Sequence, residues 1–295
     1  MVAVEGSSMG LLSGDKVTYH DLLYGMLLAS GNDAANTAAI CLAGSQEKFA
    51  AKMNKKAKEL GLANTHFVTP SGLDAPEHYT TARDLAALAK YALQNKDFAA
   101  ACKAKYATLC YGNPPYKRQL KNHNKLLFSY DGLIGVKTGF TKSSGRCLVT
   151  AAKRDGKFVI AVTLKAPNDW EDHKKLLDAG FSSLTVKTLK SGTNIRYVPV
   201  VGSKIAAVRV KAKTVKAALT QSEYAHIKSK TFLPAFLYAP LKKGEQVGYI
   251  TYYSGSNPIA SAPLVSTQNT GAVKYKAHLG QKIKRKFKIL LKAVT

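Results

Sequence analysis

Two triplets carry the side chains of this chain most able to do chemistry. Ser30-Gly31-Asn32 sets a hydroxyl two residues from a carboxamide, and Lys137-Thr138-Gly139 sets an ammonium beside a hydroxyl. Groups of these kinds bind carboxylates and relay protons. Each triplet also has a plainer reading: an Asn-capped turn between helices for the first, a strand end with a polar turn for the second. Metal chemistry is not indicated. No C-x-x-C or H-E-x-x-H occurs, and no His stands at zinc-ligand spacing from Cys41, Cys102, Cys110 or Cys147. No metal and no cofactor is therefore expected. The cysteines read as small buried hydrophobes, with Cys102 and Cys110 the closest pair if one bridge forms.

The elements that must position these triplets follow from periodicity. Thr18 opens a capping-box pattern before Leu22, Leu23, Met26 and Leu27 at helical spacing, and that helix runs into the Gly31-Asn32 break. A second helix fits Ala34 to Leu42. A third opens at Gly44-Ser45, buries Phe49, Met53 and Ala57, and ends at Gly61. Thr81 caps a fourth, with Leu85, Leu88, Ala89 and Ala92 inward. GLIGVKTG, CLVTAAKRD and KFVIAVTLKA then read as strands, the last two joined at Asp155-Gly156, and NDWEDHKKLLDAGFSSL returns to helix. Helices first, then antiparallel strands, then a closing helix make an α+β domain. From Thr185 the chain reads as strand throughout: VKTL, IRYVPVV, KIAAVRVKA, TFLPAFLYA and QVGYITYY, with turns at Lys243-Gly244 and Ser254-Gly255. That is a small all-β domain. The expected division is 1–184, 185–278, and a basic tail over 279–295.

The 295 residues carry a formal net charge of +26. Residues 181–295 hold 20 Lys and Arg against only Glu223 and Glu245. So lopsided a field favours an anionic partner such as lipid, an acidic wall polymer or nucleic acid. No nucleic-acid-binding motif accompanies the charge, so nucleic acid ranks last. No run of about eighteen apolar residues encodes a spanning helix. MVAVEGSSMG has neither the basic nor the apolar region of a signal peptide. In QKIKRKFKILLKAVT a helix would gather Ile283, Phe287, Leu290, Leu291 and Val294 on one face, with Lys284, Arg285, Lys288 and Lys292 mostly opposite. This is the pattern of a basic helix lying in a membrane interface.

S-x-N on a loop between helices with K-T-G on a later strand matches two of the three signatures of the penicillin-binding proteins. The surrounding sequence makes the likeness specific. SSMGLLSGDKVTYHDLLYGMLLASGNDAAN, the run AGSQEKFAAKMNKKAKELGLANTHFVTPSGLDAPEHYTTARDLAALAKYAL, and DGLIGVKTGFTKSSGRCLVTAAKRDGKFVIAVTL resemble the serine-type D-alanyl-D-alanine carboxypeptidases. PLKKGEQVGYITYY resembles that family's C-terminal β domain. The resemblance implies a β-lactamase/transpeptidase-like domain followed by a β domain, acting outside the cytoplasm at the wall or membrane. It also implies a two-step acyl transfer in which a serine attacks the penultimate D-Ala carbonyl of a peptidoglycan stem peptide and water hydrolyses the acyl-enzyme. Ser30 would relay a proton to the departing amine, and Asn32 would orient the substrate amide. Lys137 and Thr138 would hold the terminal carboxylate, and the strand ending at Gly139 would pair with the peptide backbone. The same resemblance makes β-lactams expected ligands.

One family signature is expected to be missing. The family's serine and its lysine base form an S-x-x-K motif some tens of residues before S-x-N, whereas here S-x-N begins at residue 30. Ser13-Gly14-Asp15-Lys16 fits the letters, but Gly14-Asp15 reads as a turn ahead of the Thr18 cap and not as the start of a buried helix. The expectation is a carboxypeptidase without its nucleophile segment, inactive as written. The rival is a wall-associated binding protein of the same fold. A β-lactamase or esterase is disfavoured by the β domain.

Overall fold

The computed structural model describes residues 4–189 and 196–273. The chain forms two compact units, Met1–Thr185 and Val186–Thr295. The expected tail over 279–295 lies outside the described residues.

The first unit opens with α1 (Tyr19–Leu28), α2 (Asn32–Ala43), α3 (Gln46–Glu59), α4 (Ala82–Ala92) and α5 (Lys96–Lys103). Their starts are written in the sequence. Thr18 Oγ1 accepts from the Asp21 backbone N–H, and the Asp21 carboxylate accepts from the Thr18 N–H, which completes the capping box. Ser45 and Thr81 cap α3 and α4 in the same way, through Lys48 N–H and Asp84 N–H. A hairpin follows, β1 (Tyr106–Gly112) with β2 (Pro115–Lys121). A short 3-10 turn, Lys125–Phe128, leads to β3 (Leu133–Thr141), β4 (Gly145–Arg154), β5 (Lys157–Thr163) and α6 (Asp169–Ser183). β3, β4 and β5 form an antiparallel sheet in chain order, so β3 is an edge strand.

The sheet is buried on both faces. Leu133, Leu148, Ala152 and Ala161 pack with Leu177 and Phe181 of α6. Val136 and Ala151 pack with Leu27 and Leu28 of α1, Ala89 of α4, and Ala101 and Cys102 of α5. Alternation along β3 and β4 thus feeds two cores, which is why these strands read as continuous apolar runs.

The second unit contains β6 (Thr185–Leu189), β7 (Arg196–Val201), β8 (Ala207–Ala212), β9 (Val215–Leu219), the single-turn α7 (Gln221–Ala225), β10 (Ile227–Phe232), β11 (Leu237–Tyr238), β12 (Gln246–Ser254) and β13 (Asn257–Ser266). Six strands form one sheet in the order β10-β12-β13-β8-β7-β11, and β6 pairs with β9. Val198, Val200, Val208 and Val210 alternate inward against Leu237, Leu241 and Leu264.

Several expectations need correction. TFLPAFLYA is not one strand. β10 starts at Ile227 and stops at Phe232, two residues before Pro234, and only Leu237–Tyr238 resumes, parallel to β7. Proline has no N–H to give a ladder. α5, the β1–β2 hairpin, β9 and β13 were not anticipated. β2 is mostly exposed and β1 buries only Leu109, Tyr111 and Gly112, so no continuous apolar run marks them, and β13 carries Pro258 and Pro263. The second helix begins at Asn32, not Ala34. All four cysteines are free thiols, and of these only Cys102 is buried, while Cys41 and Cys110 are exposed.

Candidate active site

α1 reverses into α2 within a few residues. Ala29 ends the helix, Ser30 takes the left-handed conformation at φ 56, and the Gly31 N–H closes on the Gly25 carbonyl at 3.0 Å. A non-glycine residue at that φ is uncommon and mildly strained. Gly31 is required by crowding: a Cβ there would stand 2.7 Å from Asp33 Oδ1 and 3.1 Å from the Met9 backbone N.

The fully buried Asp33 holds this turn. Its carboxylate accepts from Ser8 Oγ (2.6 Å) and from the backbone N–H groups of Met9 (3.0 Å), Leu11 (3.0 Å) and Ala34 (2.9 Å). Burial opposes the charge, but these hydrogen bonds together outweigh it and hold the carboxyl below its ordinary range. The segment before α1 is thereby tied to the first turn of α2. Tyr111 adds a bond from its hydroxyl to the Met9 carbonyl at 2.5 Å.

Lys137 approaches from the edge strand. Its Nζ donates to Ser30 Oγ at 2.6 Å and to the Thr138 carbonyl at 2.8 Å. No carboxylate lies within ion-pair distance of it among the described residues. Desolvation pushes its pKa down to about 8. The ammonium is therefore mostly protonated at neutral pH, yet it gives up a proton far more readily than an exposed lysine. Thr138 is half-buried. Gly139 is exposed, and a Cβ there would meet only Cys147, its Cβ at 3.8 Å and its carbonyl oxygen at 3.9 Å. The chain's own packing does not demand a glycine at 139. One turn of the pleat earlier it does: at Gly135, φ is 144 and a Cβ would stand 2.7 Å from Cys102 Cβ.

Of the expected residues, the structure joins Ser30 to Lys137 and leaves Thr138 and Gly139 on the open edge beyond. Asn32 is otherwise engaged, its amide donating to the Glu5 carbonyl at 2.7 Å. Asp33 and His123 escape motif reading. The His123 N–H donates to the Leu28 carbonyl at 3.2 Å, and desolvation, then the Lys137 charge, lower its imidazole pKa. Cys102 is no rival nucleophile, since burial pushes its thiol up to about 12 against a smaller pull from Lys137. Across the mouth of the β3–β4 hairpin, Thr141 Oγ1 donates to Asp74 at 2.9 Å, which ties the 62–81 loop to the end of β3.

The two literal S-x-x-K motifs near this site are both surface features. Ser13 sits on an exposed turn, and Lys16 bridges to Gly112. Ser45 to Lys48, which sequence reading overlooks, is the α3 cap itself: Ser45 Oγ accepts the Lys48 N–H at 3.2 Å, and the Lys48 residue is exposed. Neither lysine has the burial that depresses Lys137.

Helices on both faces of an antiparallel sheet, with a serine turn against a lysine on the edge strand, define a serine acyl-transfer scaffold. The D-alanyl-D-alanine carboxypeptidase family model matches residues 2–168, and the model of the penicillin-binding protein 5 C-terminal domain matches residues 184–272. The chain belongs to the D-alanyl-D-alanine carboxypeptidase family. It is 32% identical over 270 residues to the Bacillus subtilis D-alanyl-D-alanine carboxypeptidase DacF, covering 90% of this chain and 69% of that protein. It is 36% identical over 276 residues to Escherichia coli DacC, covering 90% and 68%. Among solved structures, penicillin-binding protein 5 from Haemophilus influenzae superposes with a TM-score of 0.62 at 29% identity, covering 90% of this chain and 78% of that one. The Streptomyces K15 DD-transpeptidase gives 0.58 at 38%, covering 60% and 72%.

Proposed function

We propose that this chain works as a serine-type D-alanyl-D-alanine carboxypeptidase, removing the terminal D-Ala of peptidoglycan stem peptides through an acyl-enzyme. The observation that carries the reading is the 2.6 Å contact between Lys137 Nζ and Ser30 Oγ beside an open strand edge. In this reading the serine Oγ attacks the penultimate D-Ala carbonyl and passes its proton to a neighbouring lysine amine. The C–N bond to the terminal D-Ala then breaks. Ser30 Oγ hands a proton to the departing amine and is resupplied from the lysine side. Water cleaves the ester and regenerates the serine. The Lys137 ammonium holds the terminal carboxylate, whose charge would favour the protonated lysine. Thr138 adds a hydrogen bond, and the β3 edge through Gly139 pairs with the substrate backbone. Asn32 Nδ2 is held by the Glu5 carbonyl, so in this reading it is the Asn32 side-chain oxygen that orients the substrate amide from the start of α2.

We assign the nucleophile to neither Ser13 nor Ser45, because both lie on the surface without a desolvated lysine. Residues 1–295 tested alone then supply the Ser30–Lys137 side of the site and form no lasting penicillin adduct. The test is D-Ala release and fluorescent-penicillin labelling, run on these residues alone and with a family S-x-x-K segment supplied ahead of them, with the adduct mapped by mass. Release and labelling by the supplemented chain, on the supplied serine, are expected. An adduct on Ser13 or Ser45 would refute the assignment, and no release by the supplemented chain would refute the activity.

The basic charge of residues 181–295 supports an anionic wall polymer or membrane surface as a second partner, and the peptidoglycan substrate of the carboxypeptidase reading implies action outside the cytoplasm. The 279–295 pattern suits interfacial binding. Vesicle co-sedimentation of the full chain, against one cut after Gly280, tests this: salt-sensitive binding to anionic vesicles should vanish on truncation.

A further inference from the structure

A concave feature lies at the start of β3, away from the Ser30–Lys137 contact. A cleft of about 660 Å³ opens where the end of α5, the 3-10 turn and the start of β3 meet. Its volume falls in the range of small-molecule sites, roughly 300–1,000 Å³. Lys103, Lys105 and Lys153 line it against one acidic residue, Asp131. All three lysines are exposed, and none forms an ion pair among the described residues. Phe128 presents a 40% exposed ring in the cleft. That ring is held edge-on by Tyr106 at 5.7 Å, with Lys105 and Lys121 ammoniums 5.6 and 5.5 Å from its centroid.

We infer that this cleft is a secondary binding site for the glycan-peptide polymer of the wall, taking a sugar face on Phe128 and stem-peptide carboxylates on Lys103, Lys105 and Lys153. The chemistry favours that ligand over a phosphodiester polymer. The exposed part of the Phe128 ring offers apolar contact to sugar C–H groups beside the Lys105 and Lys121 ammoniums, and Asp131 at the cleft penalises densely spaced negative charge while tolerating separated carboxylates. Position supports it too. Leu133 and Ile134 line the cleft and Lys137 follows three residues later, about 10 Å along the strand at roughly 3.3 Å per residue. A polymer held in the cleft has its neighbouring stem peptides near the Ser30–Lys137 edge, where tethering raises their effective concentration. The inference rests on the carboxypeptidase reading for its choice of polymer.

The test is titration of the full chain with fluorescently labelled, uncross-linked glycan strands bearing stem peptides, and separately with a short peptide ending in D-Ala-D-Ala. The variants are K103E/K105E/K153E and a charge-matched control on α3 and α4 of the same unit, K55E/K58E/K90E, at exposed lysines outside the cleft. The cleft variant should bind the glycan strands about tenfold more weakly, and the control no more than about threefold, since exposed charges away from the bound ligand act only through screened long-range attraction. Short-peptide affinity should be unchanged in both. Equal losses in the two variants would overturn the inference, as would a phosphodiester polymer of matched charge that binds as tightly. If the short peptide fails to bind wild type while the cleft variant still loses the glycan strands, the cleft stands and the catalytic reading falls.

Discussion

Lys137 Nζ donates to Ser30 Oγ at 2.6 Å across 107 positions of sequence. The pair joins the α1–α2 turn to an edge strand, and both partners bear a cost. Ser30 is held at φ 56, and the Lys137 ammonium is desolvated with no carboxylate to neutralise it. Two unfavourable features meeting at one hydrogen bond are what a candidate functional site shows.

The Lys137 pKa sets a pH dependence. Folding lowers it from the ordinary 10.5 to about 8. Below pH 8 the lysine is protonated folded and unfolded alike, and its burial cost is fully present. Between pH 8 and 10.5 the folded state releases the proton while the unfolded state keeps it, so stability rises with pH. Relative to Lys137→Met, the wild type should therefore gain on the order of 1–3 kcal/mol from pH 7 to pH 10.5. Urea melts of both proteins across that range check this. A gap independent of pH would show that Lys137 is not desolvated.

Ser30 can be separated into hydroxyl and backbone. Ser30→Gly loses the hydroxyl but relieves the left-handed conformation, and should stay within about 0.5 kcal/mol of wild type. Ser30→Ala loses the hydroxyl and keeps the strain, and should be about 1 kcal/mol less stable than Ser30→Gly. Denaturant midpoints decide the order. Both variants should lose D-Ala release in the chain supplied with an S-x-x-K segment.

Two glycines on β3 should respond oppositely. Gly135→Ala drives a Cβ to 2.7 Å from Cys102 Cβ at φ 144, and should cost about 2–4 kcal/mol. Gly139→Ala meets only an ordinary contact, and should change the melt by less than about 0.5 kcal/mol while weakening peptide binding at the open edge. Calorimetry with peptide titration reads both effects. A destabilised Gly139→Ala would make that glycine structural.

Much of this was legible in the residues. Thr18, Ser45 and Thr81 cap their helices because their side chains satisfy local backbone donors, and local chemistry shows in local sequence. β3, β4 and β5 were readable because both sheet faces are buried. The β1–β2 hairpin was not, since Tyr106 to Lys121 is largely exposed and its stability comes from neighbours distant in sequence, Arg118 and Tyr111 reaching Gly10 and Met9. The triplets gave Ser30 and Lys137. Asp33, which holds the turn, and His123, which feels the Lys137 charge, belong to no motif, and their roles exist only once residues far apart in sequence meet.

If Lys137 reads a substrate carboxylate beside Ser30, binding alone reveals it, with no nucleophile needed. A peptide ending in D-Ala-D-Ala and the same peptide with an amidated C-terminus are titrated into wild type and Lys137→Ala. Amidation should weaken wild-type binding about tenfold, the scale of one charge-assisted hydrogen bond, and leave Lys137→Ala nearly unaffected. Amidation costing the same in both proteins would show that Lys137 does not read the carboxylate.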